Sequence, residues 1–398
     1  MNPVADLSVV MPTFNHARYL RRALDAILSQ SVRPKELIVV DDCSTDDTPA
    51  ILAEYAQRDS LVRVYRNESN RGVNATVHRG LDLANGTFVY FCASDDEILP
   101  DFIAKSMDLL QRNPEAGLCS SYHSTRDGLT GVVSENPSQW CDQPHYFSPT
   151  AVEDILANGA IAGHTAIYRR SAVLAAGGYL PDLEWHSDMF LSKVVAFRHG
   201  MCHVPEKLAL LTVMPGTYSD GSGRKAEQTR VLNALIDRLL SPAYADVAPA
   251  FRRSGCLGFI GLPLIRSTAT RSDVWSPNVL ALINCLTFAQ YEDLKTDTDP
   301  AVRQLANLFL GPFKQEAKRG WIHEVERRDT RIKQLEVQTA EQHKVVMELC
   351  ERIQVLDSTI EMAQDQIRRM QSSIFWKMRT MLTRCKSAIV GLIRPSKR

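Results

Sequence analysis

Two short acidic clusters have the type and position to do chemistry: Asp41-Asp42 in ELIVVDDCSTDDT and Asp95-Asp96-Glu97 in FVYFCASDDEILP. Each follows an apolar run, so each falls at the end of a predicted strand. Carboxylates paired in this way beside a diphosphate would repel it unless a hard divalent cation lay between them, and Mg²⁺ or Mn²⁺ prefers such oxygen ligands. A metal site is the economical reading. Taken singly, Asp41 to Thr48 also suits turn and helix-cap chemistry, and Asp95-Asp96 suits a solvated turn before Pro100. The first strand ends in PTFNH rather than a glycine-rich turn, and no GxxxxGKS/T phosphate loop occurs, which disfavours hydride transfer and nucleotide hydrolysis.

The elements that must hold these residues alternate. Leu7 to Met11 is a buried apolar run, and Tyr19, Leu20, Ala23, Leu24, Ile27 and Leu28 then recur at helical spacing. Leu37 to Val40, Val62 to Tyr65 and Phe88 to Cys92 predict three further strands, separated by helices around Ile51 to Tyr55 and up to Leu81. Strands alternating with helices imply a largely parallel sheet covered on both faces. In such sheets the ligand crevice lies at the carboxyl ends of the strands, where PTFNH, DDCSTDDT and ASDDE all fall.

Together these segments resemble family 2 glycosyltransferases of the GT-A fold, of the bacterial surface-polysaccharide type. The resemblance runs from about Leu7 to Ser219 through VVMPTFNHARYL, ELIVVDDCSTDDT, NRGVNATVHRGLDLANGTFVYFCASDDEILP and HTAIYRRSAVLAAGGYLPDLEWHSDMFL. It implies transfer of a sugar from a nucleoside-diphosphate donor, usually with inversion at the anomeric carbon; the expected donor is a UDP-sugar and the expected cofactor Mg²⁺ or Mn²⁺. By position, Pro12, Thr13 and Phe14 would line the base pocket, Asp42 would hydrogen-bond the base, and Asp41 belongs to the same motif. Asp95 would approach the ribose, Asp96 would bind the metal, and Arg71 would contact the diphosphate or base unless it is simply an exposed loop arginine. A sugar hydroxyl must lose its proton as it attacks, which calls for a base on the acceptor side. Asp188, in EWHSDMFL, matches the second acid of the family's Glu-Asp motif. Ser187 stands where Glu is usual, so Glu184 is the alternative base. Ala93, the pair Val77-His78 and Met214 also depart from common family residues, which bears on base recognition and metal coordination.

Beyond about Gly221 the pattern becomes helical. From Val325 it tightens to a heptad register with Ile332, Thr339, Val346, Ile353, Ile360, Ile367 and Ile374 at position a and Leu335, Leu349 and Leu356 among the d residues. β-Branched residues at a with Leu frequent at d favour a parallel two-stranded coiled coil, hence a homodimer. The last segment, SSIFWKMRTMLTRCKSAIVGLIRPSKR, has no acid, and Ile374, Met378, Met381, Leu382, Cys385, Ile389 and Leu392 share a helical face. A basic helix with such a face suits an anionic membrane surface, and similar tails end bacterial surface-polysaccharide glycosyltransferases. The expected organisation is a GT-A domain with a mainly parallel central sheet at 1–220, an all-helical region at 221–320, the coiled coil at 321–371 and the membrane-surface helix at 372–398.

Composition limits the partners. Over 398 residues, Lys plus Arg and Asp plus Glu both total 46, so there is no overall basic field for nucleic acid. Nine cysteines without metal-finger spacing read as reduced thiols. The start MNPVADLSVV lacks the build of a signal peptide, and no run is apolar and long enough to span a bilayer. The expected location is therefore the cytoplasm, peripheral on the inner face of the membrane, with a glycan or lipid-linked acceptor. Two rivals are a non-catalytic glycosyltransferase-like scaffold, against which Asp42, Asp96 and Asp188 speak, and a sugar nucleotidyltransferase, which the absence of a glycine-rich first loop disfavours.

Overall fold

The computed structural model describes residues 3–135, 140–156, 160–214 and 225–261, isolated positions between 263 and 303 and between 364 and 369, and the segment 377–384. The first third follows the alternation of the sequence: β1 (Val4–Thr13), α1 (Ala17–Leu28), β2 (Arg33–Asp41), α2 (Thr48–Arg58), β3 (Val62–Arg66), α3 (Val73–Leu83) and β4 (Phe88–Phe91). Next come β5 (Glu97–Ile98), α4 (Phe102–Arg112), β6 (Leu118–Asp127), β7 (Val133–Glu135), β8 (His145–Phe147) and α5 (Pro149–Leu156). A single turn at Gly163–Thr165 leads to β9 (Ile167–Arg169), α6 (Arg170–Ala175), a turn at Pro181–His186, α7 (Ser187–His199) and β10 (Met201–Val213). Two helices follow, α8 (Lys225–Leu240) and α9 (Ala248–Ser254).

The strands form one sheet in the order β3-β2-β1-β4-β9-β6-β10-β5, with β7 on β6 and β8 on β10. Successive residues of a strand face opposite sides, so β1 and β2 feed two cores. Val10, Ile38 and Val40 enter the core that α3 and α7 cover, while Val9, Met11, Leu37 and Val39 enter the one covered by α1, α2 and α4. That double burial explains why these strands read as continuous apolar runs. Gly80 lets α3 lie close to the sheet, since a Cβ there would sit 2.3 Å from a Val10 methyl.

The expected mainly parallel sheet is parallel only in part. The pairs β3-β2, β2-β1, β1-β4 and β6-β10 are parallel, whereas β9 runs antiparallel to both β4 and β6. β9 follows β8, α5 and the Gly163–Thr165 turn, and it runs in the same direction as β8, which is itself antiparallel to β10. The sheet is mixed.

The helices after residue 224 join the same core. Leu232, Leu235, Ile236 and Leu239 of α8 and Phe251 of α9 are buried with Phe190 and Phe197 of α7, and the Phe251 ring stacks on Phe190 at 5.8 Å. The chain divides into two compact units, Met1–Gly311 and Pro312–Arg398. The predicted coiled coil lies outside the described residues apart from isolated helical positions 364, 366 and 369. Within the expected basic tail, residues 377–384 are helical, with Met378, Met381 and Leu382 exposed. Among the described residues no helix is long and apolar enough to cross a membrane.

Candidate active site

β1 continues to β2 and β3 on one side, and β4 then lies on its other side, so the order reverses between β1 and β4. A crevice opens outside the strand ends at such a reversal. Thr13 pairs with Asp41 in register, and the Asp42 amide donates to the Thr13 carbonyl at 2.8 Å. Pro12, Thr13, Asp41 and Asp42 therefore meet at one edge. Phe14 there is 40% exposed, and Thr13 is buried with its hydroxyl unpaired among the described residues.

The two loops are tied to each other by polar contacts. The Asn15 amide donates to Ser44 Oγ at 2.9 Å, Asn15 Oδ1 accepts from the Thr45 amide at 2.8 Å, and the Ala17 amide reaches Asp46 Oδ2 at 3.1 Å. Asn15 and Cys43 have positive φ, 53° and 67°, which this bonding stabilises. His16 Nδ1 lies 2.7 Å from Ser94 Oγ and so links the first loop to the third.

Asp41 and Asp42 divide the work at this edge. Asp41 is almost fully buried; its Oδ1 accepts from the Ser44 amide at 3.0 Å, and Arg66 lies 3.1 Å from Oδ2. Asp42 faces the other way. Its Oδ1 accepts from Asn67 Nδ2 at 2.7 Å and the Arg71 amide at 2.9 Å, and its Oδ2 accepts from the Gly72 amide at 2.9 Å. This leaves acceptor capacity on Oδ2. The Arg71 side chain is exposed and bonds to nothing among the described residues.

Asp95 and Asp96 follow β4. Asp96 is buried; its Oδ1 accepts from the Thr212 amide at 2.7 Å, while Oδ2 accepts no hydrogen bond among the described residues. Burial, with the neighbouring Asp95 charge adding to it, pushes the Asp96 carboxyl up to about 8. Two crowded carboxylates, one oriented by an amide and with an oxygen to spare, fit a hard divalent cation. No third His, Cys, Asp or Glu completes a protein-only cage among the described residues, so the remaining ligands would be a bound diphosphate and water.

Residues 8–175 match the family model described as glycosyl transferase family 2. Over this stretch the chain is similar to family 2 glycosyltransferases. An uncharacterized Mycobacterium tuberculosis protein is 32% identical over 169 residues, 41% of this chain and 47% of that protein. The GalNAc(5)-diNAcBac-PP-undecaprenol beta-1,3-glucosyltransferase of Campylobacter jejuni is 36% identical over 102 residues, 25% of this chain and 33% of its own. The chain thus matches about half or less of the length of these relatives. Staphylococcus aureus TarS, solved with UDP-GlcNAc, superposes with a TM-score of 0.55 at 20% identity, over 70% of this chain and 83% of the TarS chain. That likeness is one of fold.

Asp188 sits in the first turn of α7, and its Oδ1 accepts from the Met189 amide at 2.6 Å. Its carboxyl is turned against the Gly163–Thr165 turn: a Cβ on Gly163 would lie 2.8 Å from Asp188 Oδ2. Burial raises the Asp188 pKa above the ordinary carboxylate value, opposed by the Met189 amide and the buried Lys193. The same turn touches β4, because the Tyr90 hydroxyl donates to the His164 carbonyl at 2.8 Å. One short turn thus links Asp188 to the strand that ends in Asp95-Asp96.

Glu184 is held differently. Its carboxylate is engaged by Arg230 of α8 at 2.6 Å, and its carbonyl accepts from Asn74 Nδ2 at 3.0 Å. Its backbone is strained, with φ 45° and ψ −122°. Asn74, Asn67, Gly163 and Thr212 are supporting residues that sequence reasoning missed. Thr212 reaches Asp96 from 116 positions away, and no local pattern signals that.

Gly163→Ala is expected to push the Asp188 carboxylate out of position, at a stability cost of about 1–3 kcal/mol. Thermal melting and a transfer assay check both; unchanged activity would show that Asp188 need not lie against this turn.

Proposed function

We propose that this protein is an inverting glycosyltransferase that moves a sugar from a nucleoside-diphosphate sugar, UDP-linked, to a hydroxyl of a glycan or lipid-linked acceptor in cell-surface polysaccharide synthesis. The observation that carries the reading is that one turn, Gly163–Thr165, packs against Asp188 and is also bonded through Tyr90 to β4, the strand that Asp95-Asp96 follow. The donor nucleotide would lie along Pro12, Thr13, Phe14, Asp41, Asp42 and Arg71, with Asp95 towards the ribose. A divalent cation on Asp96 would neutralise the diphosphate and stabilise it as a leaving group.

Asp188 is the general base. Its carboxylate takes the proton from the acceptor hydroxyl, the freed oxygen bonds to the anomeric carbon from the face opposite the diphosphate, and the carbon–oxygen bond to the diphosphate breaks. The nucleoside diphosphate leaves with the electron pair, and the anomeric centre inverts. Burial favours this role, since a carboxylate with raised proton affinity is the stronger base. Glu184, already paired with Arg230, is less available. The Campylobacter relative is named for an undecaprenol-linked acceptor, and a lipid-linked acceptor here agrees with the basic tail.

Incubating the full chain and Mn²⁺ with a panel of UDP-, GDP- and dTDP-sugars tests the reading. Slow hydrolysis of one donor is expected, and no turnover or binding of any of them would remove it. In this proposal the heptad segment forms a parallel homodimer, and residues 372–398 attach it to the inner membrane surface. The exposed Met378, Met381 and Leu382 support the attachment, and each base near the surface adds about 1 kcal/mol. Deleting 372–398 is expected to abolish flotation with anionic liposomes; equal flotation of both forms would place the anchor elsewhere.

A further inference from the structure

A second polar cleft, of about 310 Å³, opens between the start of α1 and the ends of β6 and β10. None of the residues assigned to the donor lines it. Its walls carry Arg18, Tyr19, Arg22, Arg126, Leu129 and Thr212 among others. Arg22 and Arg126 both hold the same oxygen of Glu97, Arg22 Nε at 2.6 Å. Two guanidinium groups on one carboxylate leave a positive charge over, and they are held in place by it. Arg18 lies over the Tyr19 ring at 5.4 Å and has no ion pair or hydrogen bond among the described residues. The other carboxylate at the cleft, that of Asp127, has its Oδ1 occupied by the amides of Leu129 and Thr130. The residues that line the cleft include three guanidinium groups and one carboxylate, that of Asp127, with Glu97 and Asp96 within electrostatic reach of Arg22, and planar donors of this kind suit a phosphate.

The lip of the cleft is apolar. Leu129, Val132, Val133 and Val213 are 69%, 61%, 51% and 51% exposed, all on the β6–β7 hairpin or the adjoining end of β10. A free inorganic anion would need no such surface; an amphiphile with a phosphate head would use both parts. The cleft also shares a wall with the carboxylate loop. Thr212 lines it while donating its amide to Asp96 and its hydroxyl to the Asp95 carbonyl at 2.8 Å, and Arg22 reaches that carbonyl at 3.4 Å.

We infer that this cleft is an acceptor subsite that holds the phosphate of a lipid-linked substrate on Arg18, Arg22 and Arg126, with the first part of its lipid chain on the Leu129 hairpin. The inference rests on the reading of the protein as a transferase acting on a lipid-linked acceptor. It adds where the phosphate is recognised and by which residues.

Calorimetry on the full chain tests it with farnesyl phosphate as a soluble isoprenoid phosphate, and with inorganic phosphate, farnesol and dihexanoyl phosphatidylglycerol as comparisons. Farnesyl phosphate is expected to bind at least about tenfold more tightly than any of the three, with Arg18→Glu and Leu129→Asp each weakening it about tenfold, or 1.4 kcal/mol. Both substitutions are at exposed positions, so folding is retained and melting confirms it. No binding, or equal affinity in both variants, overturns the inference. Equal binding of inorganic phosphate would reduce the cleft to a plain anion site, and equal binding of the phosphatidylglycerol would reassign it to bulk headgroups. Displacement by UDP with Mn²⁺ would make it part of the donor site. UDP affinity is measured on the same wild-type protein: UDP binding without farnesyl phosphate binding removes this inference alone, and the reverse removes the donor reading alone.

Discussion

Asp188→Asn is expected to lower sugar transfer by about 10²–10⁴-fold while leaving donor affinity near wild type. Asn keeps the shape and the oxygen that accepts from the Met189 amide, but it cannot take a proton at neutral pH. Stability separates this loss from misfolding. Burial raises the Asp188 pKa, so the folded state holds that proton more tightly than the unfolded chain does. The stability this contributes is present below the ordinary carboxylate value and is lost as pH rises through the raised one. At neutral pH the wild-type protein therefore carries the cost of a buried charge, and the Asn variant does not. The variant should melt at the same temperature or higher at pH 8, and the difference should shrink in acid. The same shift moves the acid limb of the wild-type rate profile above the ordinary carboxylate range of about 4, because only the ionised form is a base. Activity close to wild type in Asp188→Asn, with Glu184→Gln inactive, would transfer the role to Glu184.

The strand-end clusters were legible because local pattern determines them. An apolar run fixes a buried strand, and the polar residues that follow it must lie at its carboxyl end, so the pattern alone assigns PTFNH, DDCSTDDT and ASDDE to one crevice. What holds the crevice in shape was not legible. Asp42 secures the Arg71-Gly72 loop across about thirty positions, Asn74 ties that loop's helix to the Glu184 carbonyl, and Thr212 orients Asp96 from the last strand. Such contacts depend on register between distant strands, which composition and periodicity do not encode. The antiparallel β9 was missed for a related reason. Its three residues, Ile167 to Arg169, are too few to show a period, and their direction is a matter of pairing with the distant strands β4 and β6 rather than of their own sequence.

Asp96→Asn is expected to weaken Mn²⁺-dependent binding of UDP by at least about tenfold, 1.4 kcal/mol, and to remove donor hydrolysis. The Asn variant is more informative than Ala. Its carbonyl oxygen still accepts from the buried Thr212 amide, whereas Ala would leave that N–H unpaired and cost about 1–3 kcal/mol of stability, mixing a folding defect into the result. What Asn removes is the anionic charge, which a hard cation needs most. It also removes a carboxyl that burial and Asp95 already disfavour in its charged form, so the variant should be no less stable than wild type at neutral pH. Chelation with EDTA should bring wild-type affinity for UDP down to the level of the variant and leave the variant unchanged. If the two proteins instead bind UDP equally in Mn²⁺ and lose that binding equally in EDTA, the cation is held by other groups, and the Thr212 to Asp96 hydrogen bond is a structural link between β10 and the carboxylate loop.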